Sequence, residues 1–281
     1  MRLAVCTILF CGTLATSIFA QENGLVFRAS FDSGLNAEVG AGDRKLYWAP
    51  RMEVPPRLFD PGLPPTGGAV THEKSGGVTG GYLKFHRKEP LLIFFKAKDN
   101  MPYNKTNWSG TVSFWLRLTP DEDLAPGFTD PIQITDKGWD KSAFFVEFSK
   151  DEQPREFRLG VYADFDVWNP EAKRWEDIPM AEKPLAPVVR PPFTREKWTH
   201  VAFTFENFNT GKPNGVAKLY LDGEERGVLK ERTQTFTWDI EKALIMLGLS
   251  YVGGFDELAI YDRALSAQDL KQVVTSTPKT N

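Results

Sequence analysis

The chain has 281 residues, sets 34 Lys and Arg against 37 Asp and Glu for a formal charge of −3, and is 13% aromatic with eight tryptophans. Phosphate binding needs a concentrated basic surface, so this balance excludes nucleic acid as a partner class. Both cysteines, Cys6 and Cys11, fall within the first twenty residues, so the remainder forms neither a disulfide nor a thiolate metal site.

Met1 and Arg2 supply a positive start, Leu3 to Phe19 is almost wholly apolar or small, and Ala20 offers a small residue before Gln21. That is the pattern of an export signal over residues 1–20. It is too short for a membrane span, and no later run matches its apolarity. The expectation is a secreted, periplasmic or cell-envelope protein with no membrane span in the mature chain. About 260 residues then remain, ample for one large sandwich.

Residues 24–32 alternate well enough for a first strand, ended by Asp32-Ser-Gly. From Pro50 to Gly81 the chain is crowded with Pro and Gly, which predicts a long surface loop. Strands are expected at 81–87, 91–95 and 109–118, then at 144–148 and 157–168, before a second Pro-rich excursion over 179–192. The segments beginning at Trp198 and Lys218 alternate around an Asp-Gly turn and read as neighbouring antiparallel strands. Only Ala264 to Val274 has a helical pattern, with Ser266 as its cap, Asp269 in the first turn, and Leu270 and Val273 on one face. The expected fold class is all-β: a two-sheet antiparallel jelly-roll sandwich over residues 21–275 with one short C-terminal helix, and 276–281 as a tail.

Three segments in this order, Trp198-Thr-His-Val-Ala-Phe-Thr-Phe, Lys218-Leu-Tyr-Leu-Asp-Gly-Glu and Gly254-Phe-Asp-Glu-Leu-Ala-Ile-Tyr-Asp-Arg-Ala-Leu-Ser, resemble the laminin-G-like jelly roll of the concanavalin A-like lectin and glucanase superfamily. Ser109 to Leu118 is similar to the central strand of such domains. The resemblance spans residues 24–275 and is strongest from Trp198 to Leu265. The Pro-rich insertion after the first strand is not part of the common pattern.

Strand alternation separates the two faces of each segment. Leu159, Val161, Ala163, Phe165 and Val167 fall on a core face, opposite Tyr162, Asp164, Asp166 and Trp168. Likewise Val112, Phe114, Leu116 and Leu118 oppose Trp115 and Arg117. The resemblance implies a concave sheet face that meets carbohydrate, and aromatic planes with carboxylates and Arg suit sugar C–H surfaces and hydroxyls. The candidate platform is therefore Trp115, Arg117, Tyr162, Asp164, Asp166 and Trp168. The plainer alternative is the polar side of a solvated or loop-covered sheet.

The glucanases of the superfamily carry Glu-x-Asp-x-Glu on one strand, and retaining chemistry needs two carboxyl groups roughly 5 Å apart. Here Asp164-Phe-Asp166-Val-Trp168 puts Trp168 in the third carboxylate's place, with Glu147 on a neighbouring strand as a conceivable partner. The resemblance further implies one structural calcium ion, with Asp256 matching its last-strand ligand and Asp32 as the N-terminal partner. The alternative for Asp256 is a carboxylate paired only with backbone amides. His72, His86 and His200 show no metal-ligand spacing.

The sequence thus points to an exported non-catalytic module that binds a polysaccharide or a glycan-bearing surface. The alternatives are a structural or adhesive envelope module that binds protein, and a diverged glycoside hydrolase.

Overall fold

The structure, a computed structural model, describes residues 23–277; residues 1–22, which include the export signal expected over 1–20, and residues 278–281 lie outside the described residues. The first half of the chain forms β1 (Leu25–Ala29), β2 (Tyr47–Ala49), β3 (Asp60–Pro61), β4 (Val70–Glu73), β5 (Tyr82–Phe85), β6 (Leu92–Lys96) and β7 (Trp108–Arg117). A single-turn helix α1 (Pro120–Asp123) leads to β8 (Thr129–Thr135), β9 (Ala143–Phe148) and β10 (Phe157–Tyr162), followed by a second single turn, α2 (Phe165–Trp168). The rest is β11 (Leu185–Val188), β12 (Thr199–Phe208), β13 (Gly215–Leu221), β14 (Glu224–Arg232), β15 (Leu244–Leu249), β16 (Gly253–Tyr261) and α3 (Ala267–Ser276).

These strands build two antiparallel sheets. One runs β14-β13-β12-β7-β16-β5-β4, with β1 sharing the free side of β16 beside β5; the other runs β11-β10-β9-β8-β15-β6-β2-β3. Alternation drives the pairing of the layers. Val112, Phe114 and Leu116 of β7 and Val201, Phe203 and Phe205 of β12 share one core with Ile132, Ile134, Phe144, Val146, Leu159 and Val161 of the facing sheet. Trp108, fully buried, is the hub: its ring lies 4.8 Å from Phe205, 4.8 Å from Trp238 and 5.2 Å from Phe144. Without disulfides in this region, aromatic packing of this kind carries much of the stabilisation.

The all-β sandwich and its C-terminal helix stand as expected. Ser266 and Asp269 form a reciprocal capping box on α3, and Leu270 and Val273 are its buried residues. The Asp-Gly turn joins β13 to β14 rather than β12 to β13, and both Asp222 and Gly223 take the positive φ that a tight hairpin turn demands.

Three boundaries differ from the sequence expectation. The Pro-rich stretch 50–81 is not all loop, since it holds β3 and β4, and β4 pairs with β5 at the sheet edge. The excursion 179–192 likewise holds β11, whose Pro187 sits on an edge strand where a missing N–H is tolerated. The strand expected over 157–168 stops at Tyr162. Beyond it, the Asp164 carboxylate accepts from Ser142 Oγ and from Thr237 Oγ1 (2.8 Å), while its carbonyl accepts from Val167 N (2.8 Å) and starts α2. Phe165 and Val167 therefore do not continue the core face by alternation. The i, i+2 pattern there reflects a turn.

Candidate functional site

A cleft of about 580 Å³ lies on the outer face of the second sheet, over β15, β8, β9 and β10. Its floor is made from outward positions of adjacent strands. Glu147 on β9 stands directly opposite Arg158 on β10, and Phe145 stands opposite Gly160. Asp130 joins them from β8 because the β8–β9 ladder shifts register between Thr129 and Ile132, next to Pro131, which turns Asp130 outward when strict alternation would turn it in. Asp130, Glu147 and Arg158 thus form a polar row across three strands.

Beside that row lies an aromatic one. Gly160 leaves room for the Phe145 ring, since a β-carbon there would collide with it. Phe145 stacks on Tyr162 at 5.2 Å, and Tyr162 in turn meets Trp139 edge-on at 5.5 Å and Trp175 stacked at 6.2 Å. Trp139 and Phe128 form the rim and are 53% and 51% exposed, unusual for rings of that size. The floor is buried and the rim open, so a flat, partly apolar ligand would be gripped from the side and bonded from below.

Arg158 Nη2 lies 2.8 Å from Glu147 Oε1, and the guanidinium lies 5.3 Å from the Phe128 ring centre. Burial pushes the Glu147 carboxyl up to about 7, against the pull of Arg158. Burial, reinforced by the charge of Glu147, also raises Asp130 well above the usual carboxyl range. Arg158 Nε is buried and has no hydrogen-bond partner. That N–H is unspent hydrogen-bonding capacity in the floor.

Of the six platform residues expected from sequence, only Tyr162 lines this cleft. Trp168 stands behind it, 5.1 Å from Tyr162, with its indole N–H donating to Asp140 O (2.9 Å). Asp164 ties neighbouring loops together, and Asp166 is exposed on α2. Trp115 and Arg117 belong to the other sheet altogether. Trp115 is buried against Val78 and Trp198, and Arg117 lies over the rings of Trp198 (4.5 Å) and Tyr82 (5.1 Å). The six do not form one surface, because outward positions of different sheets point to opposite sides of a sandwich.

Phe145, Glu147 and Arg158 share the outward parity of their strands, a signal present in the sequence, and of the three only Glu147 is among the residues expected above, as a carboxylate partner. Trp139 sits in Asp136-Lys-Gly-Trp-Asp, a turn-rich stretch whose lone large ring was the available signal. Asp130 depends on a register shift that no sequence period reveals.

The two calcium candidates both touch the loop 76–81. Asp256 Oδ2 accepts from Val78 N (2.6 Å) and Oδ1 from Glu257 N (2.9 Å), while Thr79 Oγ1 lies 2.7 Å from Asp32 Oδ2 and 2.8 Å from Glu257 Oε1. Among the described residues no group of three His, Cys, Asp or Glu side chains is arranged to hold a metal. Backbone carbonyl oxygens lie close to the Asp256 carboxylate there. A β-carbon on Gly77 would meet Asp256 Oδ2 at 2.7 Å and Gly80 O at 2.9 Å, and the Gly81 carbonyl more closely still. Burial, with Glu257 and Asp32 nearby, raises Asp256 to about 8. Crowded carboxylate and carbonyl oxygens with excess negative charge fit a hard cation.

A family model described as the concanavalin A-like lectin/glucanases superfamily matches residues 96–271, and the chain belongs to that family. No curated protein sequence matches it. Among solved structures, domain 4 of AbnA, a GH43 extracellular arabinanase from Geobacillus stearothermophilus in complex with arabinotriose, is 18% identical with a TM-score of 0.51, over 89% of this chain and 98% of that one. The receptor binding domain of botulinum neurotoxin D is 13% identical with a TM-score of 0.57, over 90% and 52%. The binding domain of botulinum neurotoxin DC in complex with SialylT is 12% identical with a TM-score of 0.51, over 93% and 53%. The chain spans about half the length of the two toxin domains. At these identities the likeness is one of fold.

Proposed function

We propose that this member of the concanavalin A-like lectin/glucanases superfamily is an exported, non-catalytic carbohydrate-binding module whose ligand lies in the cleft over β8, β9 and β10. The observation that carries the reading is the open pair of rings, Trp139 and Phe128, above a buried floor of hydrogen-bonding groups. Sugar rings stack their C–H faces on such aromatics and direct hydroxyls to carboxylates and Arg below. The arabinanase domain solved in complex with arabinotriose supports it, since the match covers 98% of that domain.

Calcium belongs to the proposal as a structural ion held by Asp256, Asp32 and the Gly80 and Gly81 carbonyls, where it would pin the loop 76–81 to β16. Export rests on the signal pattern of residues 1–20. The test of the reading is retardation in gels containing polysaccharide: Trp139→Ala and Trp175→Ala lose it, and Trp168→Ala, outside the cleft, keeps it. Retention unchanged in Trp139→Ala would place the ligand elsewhere.

A second reading, a diverged glycoside hydrolase, is favoured by Asp130 and Glu147, two carboxyl groups with raised pKa values on adjacent strands of the cleft floor. Reducing sugar released by the wild type and not by Glu147→Gln would favour it over binding alone.

A further inference from the structure

The two open rings of the cleft stand at opposite ends of it, and their separation sets the length of the ligand, an inference that rests on the cleft reading above. Phe128 immediately precedes β8, and Trp139 lies in the connection from β8 to β9. Each is matched to a different part of β10. The Phe128 ring lies 5.3 Å from the Arg158 guanidinium, whereas Trp139 meets Tyr162 at 5.5 Å. Arg158 and Tyr162 are four residues apart on one strand, so the backbone positions beneath the two rings are separated by about 13 Å.

The lining keeps that division. The Phe128 end holds the polar row, with Leu249 paired to Asp130 and Glu147 paired to Arg158, and Lys150 stands at its edge. The Trp139 end is aromatic: Trp175 stacks on Tyr162 at 6.2 Å and has Lys183 Nζ 4.2 Å from its ring. Gln133 and Phe145, directly paired, floor the middle. The long axis of the cleft therefore follows β9 and β10. Its volume of about 580 Å³ is in the range that encloses drug-sized molecules, and a single sugar ring fills a fraction of that volume and of the length. Only a chain of sugars engages both rings at once.

We propose that the cleft binds a linear oligosaccharide of at least about three units laid along β9 and β10, with one unit on Trp139 and another on Phe128. Phe128 is then the residue that makes the site sensitive to chain length.

Calorimetry on the full mature chain, with arabino-, xylo- and cello-oligosaccharides and oligogalacturonates of one to six units, tests this. The acidic ladder belongs in the set because Lys150 and Lys183 put a cation near each end. In the ladder that binds, affinity rises about tenfold between two units and four and levels off by six. Phe128→Ala removes that rise, and Phe128→Tyr, which keeps a ring there, retains it. Phe128 is half exposed, so both variants are expected to fold. Affinity indifferent to length, with Trp139→Ala abolishing it, would overturn the inference and leave the cleft reading standing. A rise that persists in Phe128→Ala would overturn it as well. Binding to no ladder together with no retention by the parent polysaccharides, or binding indifferent to Trp139→Ala, removes the cleft reading and this inference with it.

Discussion

Arg158 and Glu147 face each other across the β9–β10 ladder with Nη2 and Oε1 2.8 Å apart, and their side chains are only 9% and 10% exposed. A buried pair is held by mutual dependence: remove one member and the other is left charged without a counterion. Glu147→Leu is therefore expected to cost about 3–5 kcal/mol in urea unfolding, because the Arg158 guanidinium cannot shed its charge. The double variant Arg158→Met with Glu147→Leu should recover most of that loss. If it is as unstable as the single variant, the pair is not what the floor depends on.

Protonation gives a second handle. Asp256 is raised to about 8 and Glu147 to about 7, so the folded state holds protons that the unfolded chain releases at ordinary carboxyl values near 4. Stability from these two groups is complete below about pH 4 and is lost as the pH climbs through 7 and 8. Melting temperature should fall between pH 5 and 8.5, and Asp256→Asn should flatten the upper part of that fall.

A calcium ion in the proposed site would compete with the proton for the Asp256 carboxylate. The gain in melting temperature with calcium over chelator is expected to be larger at pH 8 than at pH 5. Identical melting curves at pH 8 would take the ion out of the proposal.

Two tryptophans separate stability from binding. Trp115→Ala should cost about 3–5 kcal/mol, because the ring is buried beside Val78 and Trp198, while polysaccharide retention of the folded fraction stays intact. Trp139→Ala should change stability by about 0.5 kcal/mol or less and abolish retention. The reverse pattern would return the platform to the other sheet.

Gly160→Ala probes the floor's shape. Its new methyl group must displace the Phe145 ring, at about 1–3 kcal/mol, and so disturb the stack on Tyr162. Weakened retention with a changed near-ultraviolet dichroism spectrum is the expected pair of results.

The sandwich was legible in the sequence because its period is local. Val112, Phe114 and Leu116, or Val201, Phe203 and Phe205, announce an inward face within a few residues, and they pack as that pattern requires. Ser266 and Asp269 announce a helix start just as locally. The cleft was not legible in the same way. Trp115 and Tyr162 share an outward parity, but parity cannot say to which sheet a strand belongs. Asp164-Phe-Asp166-Val-Trp168 imitates a strand because acidic and apolar residues also alternate through the turn that Asp164 anchors. Asp130 reaches the floor only through a slip in pairing between β8 and β9, a property of two segments and not of one.

The ladder between β1 and β16 sets Leu25 against Tyr261, and just beyond it Arg263 Nε donates to Asn23 O from 240 positions away. A ribosome making this chain must release nearly all of it before the opening strand can find its mate. Until then β1 has only its local bridge from Arg28 to Val39, so the finished sheet is a late event, governed by the closure of a very long loop.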